Sequence, residues 1–166
     1  MENIAALQEF LKTPRNIVIT THQKPDGDAM GSSLALYNYL QPLGHEVRVI
    51  SPTEFPAYFG YLPGCDEVWN YLENPSLSQI AIESAELIFC LDFNDLGRIE
   101  PLNEFIKKNE TAKLVLIDHH LNPQIDAEWI LHDTKACSTC ELVYRLYEIL
   151  EPAYVPTKEV SECIYT

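Results

Sequence analysis

The chain has 166 residues, 46% of them hydrophobic, and carries a formal net charge of −14. This length fits one ordinary domain with a real core, and the charge argues against broad neutralisation of a long nucleic acid. No run of about 18 apolar residues occurs, so we expect no membrane span. Five cysteines and an N-terminus without a secretory signature indicate reduced thiols and a cytoplasmic protein.

Apolar spacing predicts that helices and strands alternate along the chain. In chain order we expect strands over residues 16–20, 46–51, 68–71, 86–91 and 113–117, and an edge strand over 127–131. Helices are expected over residues 3–12, 29–40, 76–84, 102–108 and 137–150, with a final helix from about 157. Residues 52–64 are expected to form an irregular segment with a short helix. Such alternation favours right-handed βαβ units. The predicted fold is therefore α/β, with a mostly parallel sheet of about five strands and helices on both faces.

Acidic and imidazole side chains follow three of the predicted strands. They are His22, Asp26 and Asp28 after the first strand, Asp92 and Asp95 after the strand at 86–91, and Asp118, His119 and His120 after the strand at 113–117. Because the carboxyl ends of parallel strands meet at one edge of a sheet, we expect the three groups to meet there. Clustered carboxylates repel one another unless cations neutralise them. Oxygen and imidazole ligands suit manganese, iron, zinc or magnesium, so the pattern predicts a divalent metal site.

Each group also has a structural interpretation when it is taken alone. The run from Pro25 to Asp28 is typical of a turn, Asp92 could cap a helix, and an isolated histidine pair could lie on the surface. An EF-hand does not fit, because the residues beyond Asp28 lack its further oxygen ligands. The coincidence of all three groups at strand ends favours a shared metal centre over these alternatives.

Other chemistry-bearing residues are interpreted as structural. Cys137 and Cys140 have the C-x-x-C spacing of redox or zinc sites. They lie in a helical pattern without a second pair, so buried helix cysteines are expected. His45 and His132 stand apart from the three groups, and we expect surface or capping roles for them. The glycine-rich nucleotide-binding motifs G-x-x-x-x-G-K-[ST] and G-x-G-x-x-G are absent from the sequence.

Four segments resemble the motifs of one protein family. They are HQKPDGDAMGS at residues 22–32, LD at 91–92, DHHLNP at 118–123 and ACSTCELV at 136–143. In order, spacing and strand context they resemble the DHH phosphoesterases, from about residue 16 to the end of the chain. Within that family they resemble the oligoribonuclease and 3'-phosphoadenosine-5'-phosphate phosphatase type, also labelled exopolyphosphatase-related. The resemblance implies a Rossmann-like catalytic domain.

The resemblance also implies a manganese-dependent phosphoesterase with two ions, for which Mg²⁺ or Co²⁺ could substitute. The first ion would bind His22, Asp26 and Asp92. The second ion would bind Asp28, Asp92 and His119, so that Asp92 bridges the two. We expect the cations to neutralise the charge of a phosphoryl group during an in-line attack by water.

Further residues receive roles from the same resemblance. The implied catalytic residues are His120, Asp118 and Asp92, where His120 would face the substrate phosphate and Asp118 would orient the histidine pair. The implied substrate-binding residues are His120, Arg98, Ser138 and Thr139. Ser138 and Thr139 would support the site from behind the ligands. Arg98 could meet an anionic group, and a surface salt bridge is its alternative.

The implied substrates are short oligoribonucleotides or nucleotide 3'-phosphates. Alternatives are a pyrophosphate, polyphosphate or cyclic-dinucleotide hydrolase, or a metal-binding module without turnover. Members of the family continue to a further strand-end aspartate and a smaller C-terminal domain that grips the substrate, whereas this sequence ends at Thr166. We therefore expect residues 1–166 to be a truncated catalytic domain that turns over poorly by itself. Apolar surface bared near Val160 and Ile164 would favour a homodimer.

Overall fold

The helices and strands occur in the predicted order in the computed structural model, which describes residues 4–166. The strands are β1 (Asn16–Thr21), β2 (Glu46–Ser51), β3 (Trp69–Asn70), β4 (Leu87–Leu91), β5 (Lys113–Asp118) and β6 (Trp129–His132). The α-helices are α1 (Ile4–Phe10), α2 (Gly27–Leu40), α3 (Pro75–Ser84), α4 (Leu102–Lys108), α5 (Thr139–Leu150) and α6 (Lys158–Ile164). The helix predicted over residues 3–12 corresponds to α1, and residue 3 lies outside the described residues.

All six strands pair in parallel in one sheet, in the order β3-β2-β1-β4-β5-β6. Neighbouring side chains of a strand point to opposite faces. Ile17 and Ile19 of β1 therefore pack into a core with residues of α2 and α5, while Val18 packs on the other face with residues of α3 and α4. Helices cover both faces, which confirms the predicted α/β fold with one strand more than the expected five.

The direction in which strands are added reverses between β1 and β4. From β1 the chain first adds β2 and β3 on one side, and then β4, β5 and β6 on the other. Thr21 pairs with Leu91 at the carboxyl ends of β1 and β4, so the residues that follow, His22 and Asp92, emerge side by side. In open parallel sheets such a switch point opens a crevice in which ligands bind.

The last helix, α6, packs on α2 and completes one side of the core. Val160 is fully buried and Ile164 is partly buried, so the prediction of a bared apolar surface there is wrong, and the homodimer loses its stated reason. The two helices approach closely at Gly31, where a Cβ atom would lie 2.5 Å from the carbonyl oxygen of Cys163. No helix within residues 4–166 is both long and apolar enough to cross a membrane.

Candidate metal centre

The carboxylate of Asp92 lies at the middle of the predicted site. Asp92 follows β4 with a φ of +65°, in the left-handed region that aspartate tolerates better than most residues. The residue is 2% exposed. Its Oδ1 accepts a hydrogen bond of 2.8 Å from the hydroxyl of Thr139. The turn out of the strand and this hydrogen bond hold the carboxylate between two groups of donor atoms.

His22 and Asp26 lie on one side of Asp92. His22 Nε2 is 3.5 Å from Asp92 Oδ2, and one donor atom from each of the three residues falls within 4.8 Å of the others. The His22 ring is oriented by Nδ1, which lies 2.8 Å from the carbonyl oxygen of Gln23. Asp26 is the N-cap of α2, and its Oδ1 accepts a hydrogen bond from the Ala29 amide. The structure thus brings together the residues predicted for the first ion.

His119 and Asp28 lie on the other side of Asp92. His119 Nε2 is 3.7 Å from Asp92 Oδ1 and 3.6 Å from Asp28 Oδ2. Its Nδ1 is 3.3 Å from the carbonyl oxygen of Ala136, so Nε2 faces the carboxylates. One donor atom each of Asp92, His119 and His120 also lies within 4.8 Å of the others. His119 thus contacts both carboxylates predicted for the second ion, but the three-residue cluster on this side contains His120 in the place of Asp28.

The N-terminus of α5 holds Asp28 in place. The backbone amides of Thr139 and Cys140 donate hydrogen bonds of 2.7 and 2.8 Å to its two carboxylate oxygens. Burial and the negative charge of Asp92 raise the pKa of Asp28, although the two amides oppose the rise. A pair of carboxylates in this position is relieved of its repulsion when a cation lies between them.

The loop that carries His22 is tied to the loop after β4. The amide of Gln23 donates to the carbonyl oxygen of Arg98 at 2.9 Å. Burial alone would lower the pKa of His22, but its contacts with Asp92 and with the Gln23 carbonyl outweigh burial and raise it, while the charge of Arg98 opposes them. Within residues 4–166 the salt bridges do not include Arg98, so the predicted alternative of a surface salt bridge is wrong. Asp95, predicted among the acidic residues after this strand, caps the 3₁₀ helix Leu96–Ile99.

Asp118 holds His120 and not the whole histidine pair. Its Oδ1 is 2.7 Å from His120 Nδ1, and its Oδ2 accepts a hydrogen bond of 3.2 Å from the His120 amide. His119 is oriented by Ala136, so the prediction that Asp118 orients both histidines is wrong for His119. Asp118 is fully buried, whereas 36% of the His120 side chain is exposed. The His120 ring is thus anchored from inside and open to solvent on its outer side.

Ser138 and Thr139 are placed differently at the start of α5. Ser138 is partly exposed, accepts a hydrogen bond from the Glu141 amide, and lines a cavity of about 330 Å³ next to Asp28. Thr139 is fully buried and its hydroxyl donates a hydrogen bond to Asp92. It therefore holds a predicted metal ligand in place, and it has no exposed surface with which to bind substrate. The helix starts two residues later than predicted, and the expectation of a buried Cys137 is wrong because that residue is exposed.

Sequence reasoning missed the position of His132. This residue ends β6, pairs with Asp118 across the sheet, and places Nε2 2.6 Å from the carbonyl oxygen of His120. The prediction that it stands apart from the site is wrong, because β6 extends one residue beyond the predicted edge strand and pairs His132 with Asp118. His45 is also not a surface residue: it is 5% exposed, and both ring nitrogens lack a partner among residues 4–166. Burial and the charge of Arg15 lower its pKa.

The donor set at this edge fits a divalent cation. Its atoms are carboxylate oxygens and imidazole nitrogens, which suit manganese, magnesium, iron or zinc. In the part of the chain that the structure describes, no lysine or arginine forms a salt bridge with Asp28 or Asp92. Burial and the charge of Asp28 raise the pKa of the neighbouring Cys140 thiol above its usual value.

Comparison with known proteins shows the family of the chain. Residues 16–166 match the family model described as the DHH family, N-terminal domain. The chain belongs to the DHH family. The matched span begins with β1 and includes every residue of the candidate centre, from His22 to Thr139.

Two curated relatives resemble this DHH chain over most of its length. The bifunctional oligoribonuclease and PAP phosphatase NrnA of Thermus thermophilus is 31% identical over 169 residues, which cover 99% of this chain and 46% of the relative. The protein of the same name from Bacillus subtilis is 30% identical over 152 residues, which cover 90% and 44%. The chain therefore spans about half the length of the curated relatives it matches.

Solved structures extend the comparison. An exopolyphosphatase-related protein from Bacteroides fragilis has a TM-score of 0.93 and 35% identity, and the match covers 98% of this chain and 48% of that one. RecJ of Thermus thermophilus in complex with Mn²⁺ has a TM-score of 0.54 and 16% identity, covering 96% of this chain and 22% of RecJ. The likeness to RecJ shows a shared fold and no more.

Proposed function

We propose that this DHH chain is the catalytic part of a manganese-dependent phosphoesterase that works with two cations. The observation that carries the proposal is the position of Asp92, whose Oδ2 faces His22 and whose Oδ1 faces His119. One buried carboxylate with donor groups on both sides is what a bridging ligand requires. Crystal structures of RecJ contain bound manganese, which supports the choice of metal.

The chain's own residues would hold the two cations apart and in place. One cation would bind His22, Asp26 and Asp92, and the other Asp28, Asp92 and His119. When bound, the cations supply Lewis acidity toward a phosphoryl oxygen and make a nearby water easier to deprotonate. Thr139 fixes Asp92, the α5 amides fix Asp28, and backbone carbonyls fix the two histidine rings with Nε2 facing the centre.

His120 is the proposed proton donor to the leaving oxygen. Its contact with Asp118 fixes the tautomer that carries a proton on Nδ1. A second proton on Nε2 would pass to the leaving oxygen as the bond from phosphorus to that oxygen breaks. Asp118 is buried, so it holds the ring without contacting substrate. Arg98, close to His22 and outside the salt bridges of residues 4–166, would bind a phosphate oxygen.

The relatives guide the choice of substrate class. Two relatives with at least 30% identity are oligoribonucleases and PAP phosphatases, so we propose short oligoribonucleotides and nucleotide 3'-phosphates. A net charge of −14 fits a short anion that is bound through cations, and does not fit a long nucleic acid. The similar Bacteroides fragilis protein is described as exopolyphosphatase-related, which makes polyphosphate the competing substrate.

Hydrolysis assays test this proposal. The chain, and a version extended by the remainder of the Bacillus subtilis relative, are given a short RNA, 3'-phosphoadenosine-5'-phosphate or polyphosphate, and the released nucleotide and phosphate are measured. We expect manganese-dependent hydrolysis of the first two substrates, faster in the extended version, with its loss in a chelator and a residual rate about 100-fold lower in His120→Ala. Absence of manganese-dependent hydrolysis in both versions would contradict the proposed enzyme. Preference for polyphosphate would contradict only the substrate class.

A further inference from the structure

His132 makes a short contact with the main chain of residues 118–120, the Asp-His-His segment. It is the last residue of β6, an edge strand of the sheet, and lies opposite Asp118 of β5. Its Nε2 is 2.6 Å from the carbonyl oxygen of His120. A carbonyl oxygen only accepts hydrogen bonds, so His132 must donate from Nε2.

With this bond, His120 is held at three separate atoms. Its amide donates to Asp118 Oδ2 at 3.2 Å, its Nδ1 contacts Asp118 Oδ1 at 2.7 Å, and its carbonyl accepts from His132. The remaining polar atom, Nε2, takes part in no hydrogen bond within residues 4–166. Two of the three anchors come from the residue two positions before His120, and the third comes from a different strand.

We propose that His132 is a positioning residue that sets the main chain of His120, so that the Nε2 of His120 points at the reacting phosphate. The inference rests on the proposed function and adds to it a residue outside the family's DHH motif. The two contacts of Asp118 fix the His120 ring and the His120 amide to the end of β5. The bond from His132 fixes the His120 carbonyl to β6 as well. Misplacement of a reacting group by about 1 Å costs about 100-fold in rate, so a second anchor has a measurable effect.

A purely structural role for His132 would be to keep β6 attached to the sheet. Other contacts already hold the same end of the strand, one to β5 and one to α5. The amide of Asp133 donates to the Asp118 carbonyl at 3.4 Å, and the Asp133 carboxylate pairs with Arg145 at 2.9 Å. Arg145→Met removes the second tie without touching His120. This variant is therefore the matched control for a loss of attachment.

The test compares His132→Leu, His132→Gln and Arg145→Met in manganese. We expect His132→Leu to lower kcat for a short RNA about 10-fold, with unchanged KM and unchanged manganese affinity by calorimetry. Glutamine can donate at a similar reach, so it should restore most of kcat, and Arg145→Met should leave kcat near the wild-type value. Should the leucine variant fail to fold, His132→Asn, whose amide is too short to reach the carbonyl, takes its place.

Two further comparisons separate this inference from its alternatives. In a His120→Ala background, His132→Leu should cause no further loss of rate. An additional loss in this double variant would overturn the inference. A His132→Gln variant as slow as His132→Leu would overturn it as well. If the wild-type protein hydrolyses none of the substrates, the proposed function fails, but the anchor can still be measured by NMR. Hydrogen exchange of the His120 amide should then speed up about 10-fold in His132→Leu and not in Arg145→Met. Equal exchange in the wild type and the leucine variant would overturn the anchor itself.

Discussion

Replacement of Asp92 by asparagine should weaken manganese binding and at the same time stabilise the metal-free protein. Asparagine tolerates the left-handed backbone at φ +65°, and its side-chain oxygen can still accept the hydrogen bond from Thr139. The substitution therefore removes the charge and keeps the local geometry. The matched control is Asp95→Asn, because Asp95 caps the neighbouring 3₁₀ helix through the Gly97 amide, and asparagine caps equally well.

The expected magnitudes follow from the charges around Asp92. Two unit charges about 4 Å apart interact by about 4 kcal/mol at an effective dielectric constant of 20. Part of this is kept because the amide oxygen can still ligate, so we expect affinity to fall about 100-fold, or about 2.7 kcal/mol. Without metal, the variant loses the repulsion between Asp92 and Asp28 that helps to raise the pKa of Asp28. A gain of about 1 kcal/mol corresponds to a rise in Tm of about 2–4 °C.

Calorimetric titration with manganese and thermal melting in a chelator measure both effects at a pH where His22 is neutral. Asp95→Asn should change affinity less than about 3-fold, or about 0.7 kcal/mol. Equal losses of affinity in the two variants would refute the bridging role of Asp92. A lower Tm for metal-free Asp92→Asn would refute the claim that the carboxylates repel each other in the metal-free protein.

Three further predictions concern Thr139, Gly31 and Asp28. Thr139→Val keeps the buried shape but removes the hydroxyl that binds Asp92, so manganese affinity by calorimetry should fall about 10-fold. Gly31→Ala places a methyl group against the Cys163 carbonyl and should lower the free energy of unfolding, measured in urea, by about 1–3 kcal/mol. The pKa of Asp28 is raised on folding, so the metal-free protein should gain stability relative to Asp28→Asn as the pH falls through that pKa. Manganese should bind more weakly over the same pH range, because the carboxyl group is then protonated. Melting curves of both proteins with and without manganese check the two signs.

The strands and the ligand groups could be predicted because both follow from local sequence patterns. A parallel strand buried on both faces is a short apolar run, and the site residues come directly after such runs, as Asp92 follows Leu87–Leu91. Once the sheet is parallel, its topology brings the strand ends to one edge. The meeting of His22, Asp92 and His119 could therefore be expected without knowledge of their contacts.

Contacts that depend on the packing of distant elements could not be predicted. Asp28 and the Thr139 amide are 111 positions apart, and nothing local to α5 indicates that its N-terminus faces a carboxylate. His132 reaches His120 only because β6 pairs with β5 in one register, and a shift by one residue would turn its side chain to the opposite face. The predicted edge strand stopped one residue before His132, which hid this contact.

The most direct test of the two-cation centre is anomalous diffraction from crystals of this chain grown with manganese. We predict two anomalous peaks about 3.5–4 Å apart, one on either side of the Asp92 carboxylate. One peak should lie against His22 and Asp26, and the other against Asp28 and His119. A map with no peak at Asp92, or with a single peak that is not in contact with its carboxylate, would contradict the account.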